Sequence, residues 1–274
     1  MQETAVSSQR LKQLSYGLVE VRDLSVNFGD RQKTITILDQ INFTVEPGSF
    51  VCLLGPSGCG KSTILNTIAG FIHPTQGAVL VDAQTVTKPG ADRGFVFQQY
   101  SLLPWKTTAQ NVEFGLRIKN IAKAKRRELV NEYLNRVGLY KHRDSYPHQL
   151  SGGMKQRASI VRALINSPSV LLMDEPFSAL DAQTRHMMQE LLMEIWQELK
   201  TTVIFVTHDI EEAVLLGDRI LVMGVNPGYI KEDIAIELPR PRHIDDTLTL
   251  EFMQISRQIL ATIREETLKS MRSS

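Results

Sequence analysis

The segment that most limits what this chain can fold into runs from Phe50 to Ser62. An unbroken apolar run, Phe50-Val51-Cys52-Leu53-Leu54, leads straight into Gly55-Pro56-Ser57-Gly58-Cys59-Gly60-Lys61-Ser62. Apolar residues without alternation predict a strand buried on both faces, the setting of a parallel sheet. The residues after it fit G-x-x-x-x-G-K-[ST], in which glycines let the backbone bend until its N–H groups converge on phosphate oxygens. A helix opening near Lys61 brings its positive end to the same point. Lys61 is then a point charge for the β- and γ-phosphates, and the Ser62 hydroxyl a ligand for Mg²⁺. Gly55, Pro56, Ser57, Gly58, Cys59, Gly60, Lys61, Ser62 and Thr63 are the candidate phosphate-binding residues. The pattern alone does not separate kinases, GTPases and ATPases.

Two further apolar runs, Val170 to Met173 and Val203 to Val206, read as strands of the same sheet, and Ala182 to Leu199 reads as a helix between them. Strands alternating with helices predict an α/β core that binds its ligand at the carboxyl ends of the strands. Asp174 stands at such an end, where a carboxylate can hold Mg²⁺ through water. Glu175, one residue on, can accept a proton from an attacking water. His208 follows the third run after Thr207, where an imidazole can reach a γ-phosphate.

The rest of the chain reads differently. From Leu18 to Val45 the alternation, as in Leu24-Ser25-Val26-Asn27-Phe28, predicts antiparallel strands with one buried face. Between Ser101 and Gln149 strands disappear, and the charged, helix-favouring stretch Ala122 to Val137 marks an inserted helical lobe. Beyond Gly228 a strand returns, then Leu238-Pro239-Arg240-Pro241-Arg242, then an amphipathic helix with Leu248, Phe252, Ile255, Ile259 and Ile263 along one side. No internal repeat is visible.

With 31 basic and 30 acidic residues the net charge is +1, which exerts no general pull toward nucleic acid. The 2 cysteines, Cys52 and Cys59, give no disulfide framework and fit a reducing compartment. Cys59, beside a helix start, is expected to favour the thiolate and to react with a maleimide, with a buried, inert thiol as the alternative. Met1 to Tyr16 lacks the basic start and apolar stretch of a signal peptide. No run of ~18 apolar residues is present to span a bilayer, so any membrane role is expected to come through a partner.

Leu150-Ser151-Gly152-Gly153-Met154-Lys155-Gln156-Arg157 is decisive, because it resembles the signature sequence of ATP-binding cassette proteins. Physically it is a hydroxyl and two glycines at a helix start, able to grip phosphate. The resemblance then extends over nearly the whole chain. It implies a P-loop NTPase (RecA-like) core with an antiparallel β subdomain and an inserted α-helical subdomain. A tail at 1–15 precedes an ATPase domain at 16–242, with the helical subdomain at about 101–155 and a C-terminal helical extension at 243–274. Gln98, with Gln99 as the neighbouring alternative, matches the glutamine loop that contacts Mg²⁺ or water. Asp181, in Ser178-Ala179-Leu180-Asp181, matches the loop that crosses between two ATPase protomers, and His208 the switch histidine. Phe28 stands where the family stacks an aromatic ring on adenine, with a place in the strand core as the alternative.

The resemblance also implies a mechanism and partners. Glu175, His208 and Lys61 are the expected catalytic residues, and Ser62, Gln98 and Asp174 the residues toward Mg²⁺. Two cassettes close head to tail, each ATP lying between one phosphate loop and the other protomer's Ser151, Gly152, Gly153 and Gln156. The expected partners are transmembrane permease subunits and a second ATPase subunit. That second subunit is a copy of this chain or a longer one with a fused solute-binding domain. An extracytoplasmic solute-binding protein acts indirectly, and the location is the cytoplasmic face of the cell inner membrane. Pro89 to Gly94, Ser101-Leu102-Leu103-Pro104-Trp105 and Leu238 to Arg242 are similar to the ATPases of nitrate, taurine, alkanesulfonate and bicarbonate importers, the small nitrate/nitrite subunit most of all. Trp105 is expected to face the permease, and Leu102 to pack inside the lobe.

Overall fold

The alternating segment near the N-terminus forms two long antiparallel strands, β1 (Val19–Gly29) and β2 (Thr34–Val45). In β1 the buried side chains change parity, from Val19 and Val21 to Leu24 and Val26. A one-residue slip turns a strand over, and the pairing with β2 shifts between Val21 and Leu24, where Asp23 takes φ +47°. These coordinates are a computed structural model, which describes residues 16–29 and 34–273. The expected N-terminal tail lies outside the described residues. The chain divides into two compact units, Met1–Gly90 with Lys200–Ser274, and Ala91–Leu199.

In the first unit, β1 lies between β2 and β4 (Gln76–Val81), and the short β5 (Gln84–Thr85) closes the edge. A separate set of strands carries the phosphate loop. There β3 (Phe50–Leu54) is parallel to both β8 (Thr202–Thr207) and β9 (Arg219–Gly224), and β10 (Tyr229–Ala235) pairs antiparallel with β9. Every residue of β3 and of β8 is buried, as their continuous apolar runs require. Helix α1 (Lys61–Ala69) follows β3, and a later helix, α7 (Ile210–Leu216), follows β8.

The chain ends in α8 (Leu250–Ser273), on which Phe252 and Ile259 are buried while Ile255 and Ile263 are half-buried. Leu248 departs from the expected stripe. It belongs to a 3-10 turn, Ile244–Leu248, ahead of the helix and is exposed.

In the second unit β6 (Arg93–Val96) pairs in parallel with β7 (Val170–Asp174). No strand occurs from Ser101 to Gln149, where α2 (Thr108–Val112), α3 (Phe114–Ile118) and α4 (Lys123–Arg136) form the expected helical lobe. Two long helices complete the unit, α5 (Gly152–Leu164) and α6 (Ala182–Leu199). Fully buried Asn111 fixes the loop before α2. It accepts from the Leu103 N–H at 2.7 Å and donates to the carbonyls of Leu103, Lys106 and Thr107. The loop so held presents Trp105, 70% exposed. Leu102 is half-buried.

Candidate active site

In the first unit the phosphate loop depends on backbone that glycine alone adopts without strain. Gly58 and Gly60 lie at φ +83° and +96°, and a methyl on Gly60 would stand 2.5 Å from Leu38 Cδ2. Gly60 caps α1 with no side-chain hydrogen bond, and a helix start of that kind offers N–H groups and dipole to an anion. Lys61 is buried, its Nζ donating to the carbonyls of Gly55 at 2.7 Å and Pro56 at 2.9 Å. Ser57, Gly58 and Ser62 are exposed, and Pro56 and Thr63 half-buried. The loop therefore gathers hydroxyls, an ammonium and backbone N–H groups around one helix start.

For Cys59 the structure favours the buried alternative. It is 1% exposed, and burial pushes its thiol up, against the opposing pull of the Lys61 ammonium. Desolvation of the thiolate outweighs the helix start here, and the side chain packs within the loop.

His208 is exposed at the end of β8, on a turn held from both sides. The Thr207 hydroxyl donates to buried Glu212 at 2.5 Å and accepts from the Asp209 N–H at 3.0 Å. Asp209 in turn caps α7 by accepting from the Glu212 N–H at 3.1 Å. Thr207, Asp209 and Glu212 were not singled out from the sequence. The signal was present, since Asp209 with Glu212 three residues on resembles a capping pattern. Phe28 is exposed, so its ring is not part of the strand core.

In the second unit Asp174 ends β7 and Glu175 follows in the left-handed region, at φ +43°. A non-glycine residue there is uncommon and marks a site where side-chain direction is imposed by the fold. The turn is closed by the N–H and hydroxyl of Ser178, both donating to the Glu175 carbonyl. Gln98 Nε2 donates to Glu175 Oε2 at 3.3 Å, which brings Gln98 of the two glutamines to the acid pair.

The signature residues open α5. Ser151 is its N-cap, accepting from the Met154 N–H at 3.3 Å, and the hydroxyl proton is a donor in its own right. A methyl on Gly152 would stand 2.9 Å from the Tyr100 hydroxyl, and one on Gly153 would stand 3.4 Å from Leu180 Cδ2. Tyr100 is a neighbour the sequence reading did not identify. Gln156 departs from its expected place among these residues. It is 1% exposed and turned inward, with neither amide atom hydrogen-bonded among the described residues. Asp181 caps α6, accepting from the Thr184 N–H at 2.9 Å, and that bond holds its carboxyl below the usual carboxylate range.

A buried parallel strand running into a glycine loop and helix, with an acid pair at another strand end, defines a nucleoside-triphosphate-binding α/β domain. The family model described as ABC transporter matches residues 38–178, and the chain belongs to that family. It is 46% identical to a nitrate import ATP-binding protein of Synechocystis sp., over 90% of this chain and 95% of the relative. It is 43% identical to an aliphatic sulfonates import ATP-binding protein of Bacillus cereus, over 88% of this chain and 94% of the relative. Among solved structures, a dimeric ATP-binding cassette in a post-hydrolysis state with ADP and phosphate is similar, with a TM-score of 0.73 at 34% identity. That similarity covers 81% of this chain and all of the other. The fold is thus the P-loop cassette fold that the sequence implied, and the activity is ATP hydrolysis coupled to transport.

Proposed function

We propose that this chain energises an importer of nitrate or nitrite as its peripheral ATPase subunit. The observation that carries the proposal is the match to the nitrate import protein along nearly the full length of both chains. It is joined by the resemblance of Pro89 to Gly94 and Ser101 to Trp105 to importers of small anions.

In this reading the exposed Phe28 ring stacks on adenine, and the loop from Gly55 to Thr63 cradles the phosphates. Lys61 exchanges its two carbonyl partners for phosphate oxygens. Glu175 accepts the proton of the attacking water, with Gln98 orienting the carboxylate and His208 donating toward the γ-phosphate. Among the described residues no group of three or more His, Cys, Asp or Glu could hold a metal ion by itself. The residues proposed toward Mg²⁺, an ion held by one or two protein oxygens together with phosphates and water, are Ser62 of the first unit and Asp174 and Gln98 of the second. Bound there, the ion would neutralise charge developing on the phosphate oxygens. Ser151, Gly152 and Gly153 serve the nucleotide of a second cassette, and Asp181 lies on the loop between protomers.

The permease partner has a candidate seat inside the second unit. A groove of about 340 Å³ is lined by Phe95, Leu103, Phe114 and Ile118, with Lys119 and Arg162 among its walls. Apolar walls with a basic rim suit a short amphipathic helix carrying an acid. No described helix is long and apolar enough to cross a membrane.

The test is ATP hydrolysis by the complex purified with this chain and reconstituted in liposomes, with nitrate, nitrite or an alkanesulfonate supplied through the solute-binding protein. Stimulation by nitrate or nitrite is expected. Stimulation by the sulfonate alone would overturn the substrate while leaving the ATPase assignment intact.

A further inference from the structure

The C-terminal helix carries a charge where an amphipathic surface helix needs none. Glu266 lies on α8 and is 0% exposed. Its carboxylate accepts from Lys269 Nζ at 2.7 Å, Lys231 Nζ at 2.9 Å, the Val225 N–H at 3.2 Å and the Tyr229 hydroxyl at 3.3 Å. Two of these partners bracket a single short turn, Val225 to Tyr229, between β9 and β10. A buried carboxylate that collects four donors is costly to disturb, so the turn is fixed to the helix.

The other side of that turn lies against the phosphate loop. Gly228 donates its N–H to the Ile37 carbonyl at 2.8 Å and accepts from the Asp39 N–H at 3.0 Å. Its Cα faces the loop so closely that a methyl there would overlap the Cys59 carbonyl oxygen. Two residues before the turn, near the end of β9, Met223 backs Gly55 in the same way, its carbonyl oxygen 2.9 Å from where a methyl on Gly55 would be. Leu38, bridged to Gly228, is the residue against Gly60. The backs of Gly55, Cys59 and Gly60 thus rest on β9, on Leu38 and on the turn that Glu266 holds. Every contact in this chain of support lies within the first unit.

We propose that Glu266 is a positioning residue for nucleotide binding, holding the phosphate loop in its ligand-ready shape through the Val225–Tyr229 turn. The C-terminal helix is then a working part of the ATP site. This rests on the reading of residues 55–63 as the ATP-binding loop. A loop whose back support slackens must be ordered again when phosphate binds, and that ordering lowers affinity for the triphosphate and the diphosphate alike.

The experiment measures equilibrium binding of ATP and ADP to the full chain at a temperature well below the unfolding midpoint of every variant. Glu266→Gln should weaken both about tenfold. Tyr229→Phe, which removes only the hydroxyl, should weaken them less and serves in its place if the first variant fails to fold. Thr262→Val lies on the same helix but bonds Glu232 instead, and should leave both affinities unchanged. Gly228→Ala should weaken binding too, and the double variant with Glu266→Gln should lose less than the two separate losses combined, because both act through one turn. ATP should slow amide exchange at Val225 in the wild type. Unchanged nucleotide affinity with a lowered unfolding midpoint, or strictly additive losses, would overturn the positioning role. Absence of ATP binding by the wild type would instead overturn the loop assignment on which it rests.

Discussion

Glu266 also makes a prediction about acid that can be worked from its surroundings. Burial alone would raise its carboxyl, but hydrogen bonds from Lys269, Lys231 and the Val225 N–H outweigh burial and lower it to about 2. An unfolded chain leaves a glutamate near 4.3. A carboxyl lowered by folding stabilises the fold fully above its unfolded value and loses that contribution as pH falls toward its folded value. The difference corresponds to about 3 kcal/mol at neutral pH. Glu266→Gln removes the titration while keeping the shape. Denaturant unfolding of both proteins between pH 7 and pH 3 should show the wild type ahead by up to about 3 kcal/mol at pH 7, and by roughly half as much at pH 3. Other carboxylates titrate equally in both chains and cancel in the difference. A gap that stays constant across this range, or widens as pH falls, would refute the reasoning.

Other residues give independent outcomes. Native Cys59 should resist maleimide at neutral pH with or without ATP, both cysteines reacting only in denaturant; rapid labelling of the folded chain would show an accessible thiolate. Trp105→Ala should change the stability and basal ATPase of the isolated chain little, within about 0.5 kcal/mol for stability, while lowering transport by the assembled complex. Equal loss of ATPase and stability would make Trp105 a packing residue. Specific activity of the isolated chain should rise steeply with its concentration, and Ser151→Arg should spare ATP binding at the chain's own loop while suppressing that activity. Full activity in a demonstrably monomeric sample would exclude a site completed by a second cassette.

The legible parts of the sequence were those where one physical demand dominates. Phe50 to Leu54 and Val203 to Val206 have no polar face, so only a strand covered on both sides can hold them. The glycines of the phosphate loop were equally plain, since Gly60 takes a backbone angle and a closeness to Leu38 that other residues resist. The residues left open or misplaced are those where two demands compete. For Cys59 the helix start favours the thiolate and burial opposes it, and depth of burial is not written in the local sequence. Gln156, read as a surface contact, is instead turned inward, which its polarity alone argued against. Glu266 carried a usable signal, because Phe252, Ile259 and Glu266 recur at intervals of seven on the buried side of one helix. That Gln98 rather than Gln99 meets Glu175 was not legible, since adjacent identical residues differ only in where the chain points them.

The central claim is that Glu175 is the base of an ATP-hydrolysing cassette, and the most direct measurement compares Glu175→Gln with the wild type. ATP binding and steady-state phosphate release are followed on the same preparations, at concentrations where the cassettes pair. ATP affinity should be retained, and phosphate release should fall by a factor of ~10²–10⁴. Near-normal phosphate release by Glu175→Gln, with ATP bound as in the wild type, would contradict the account.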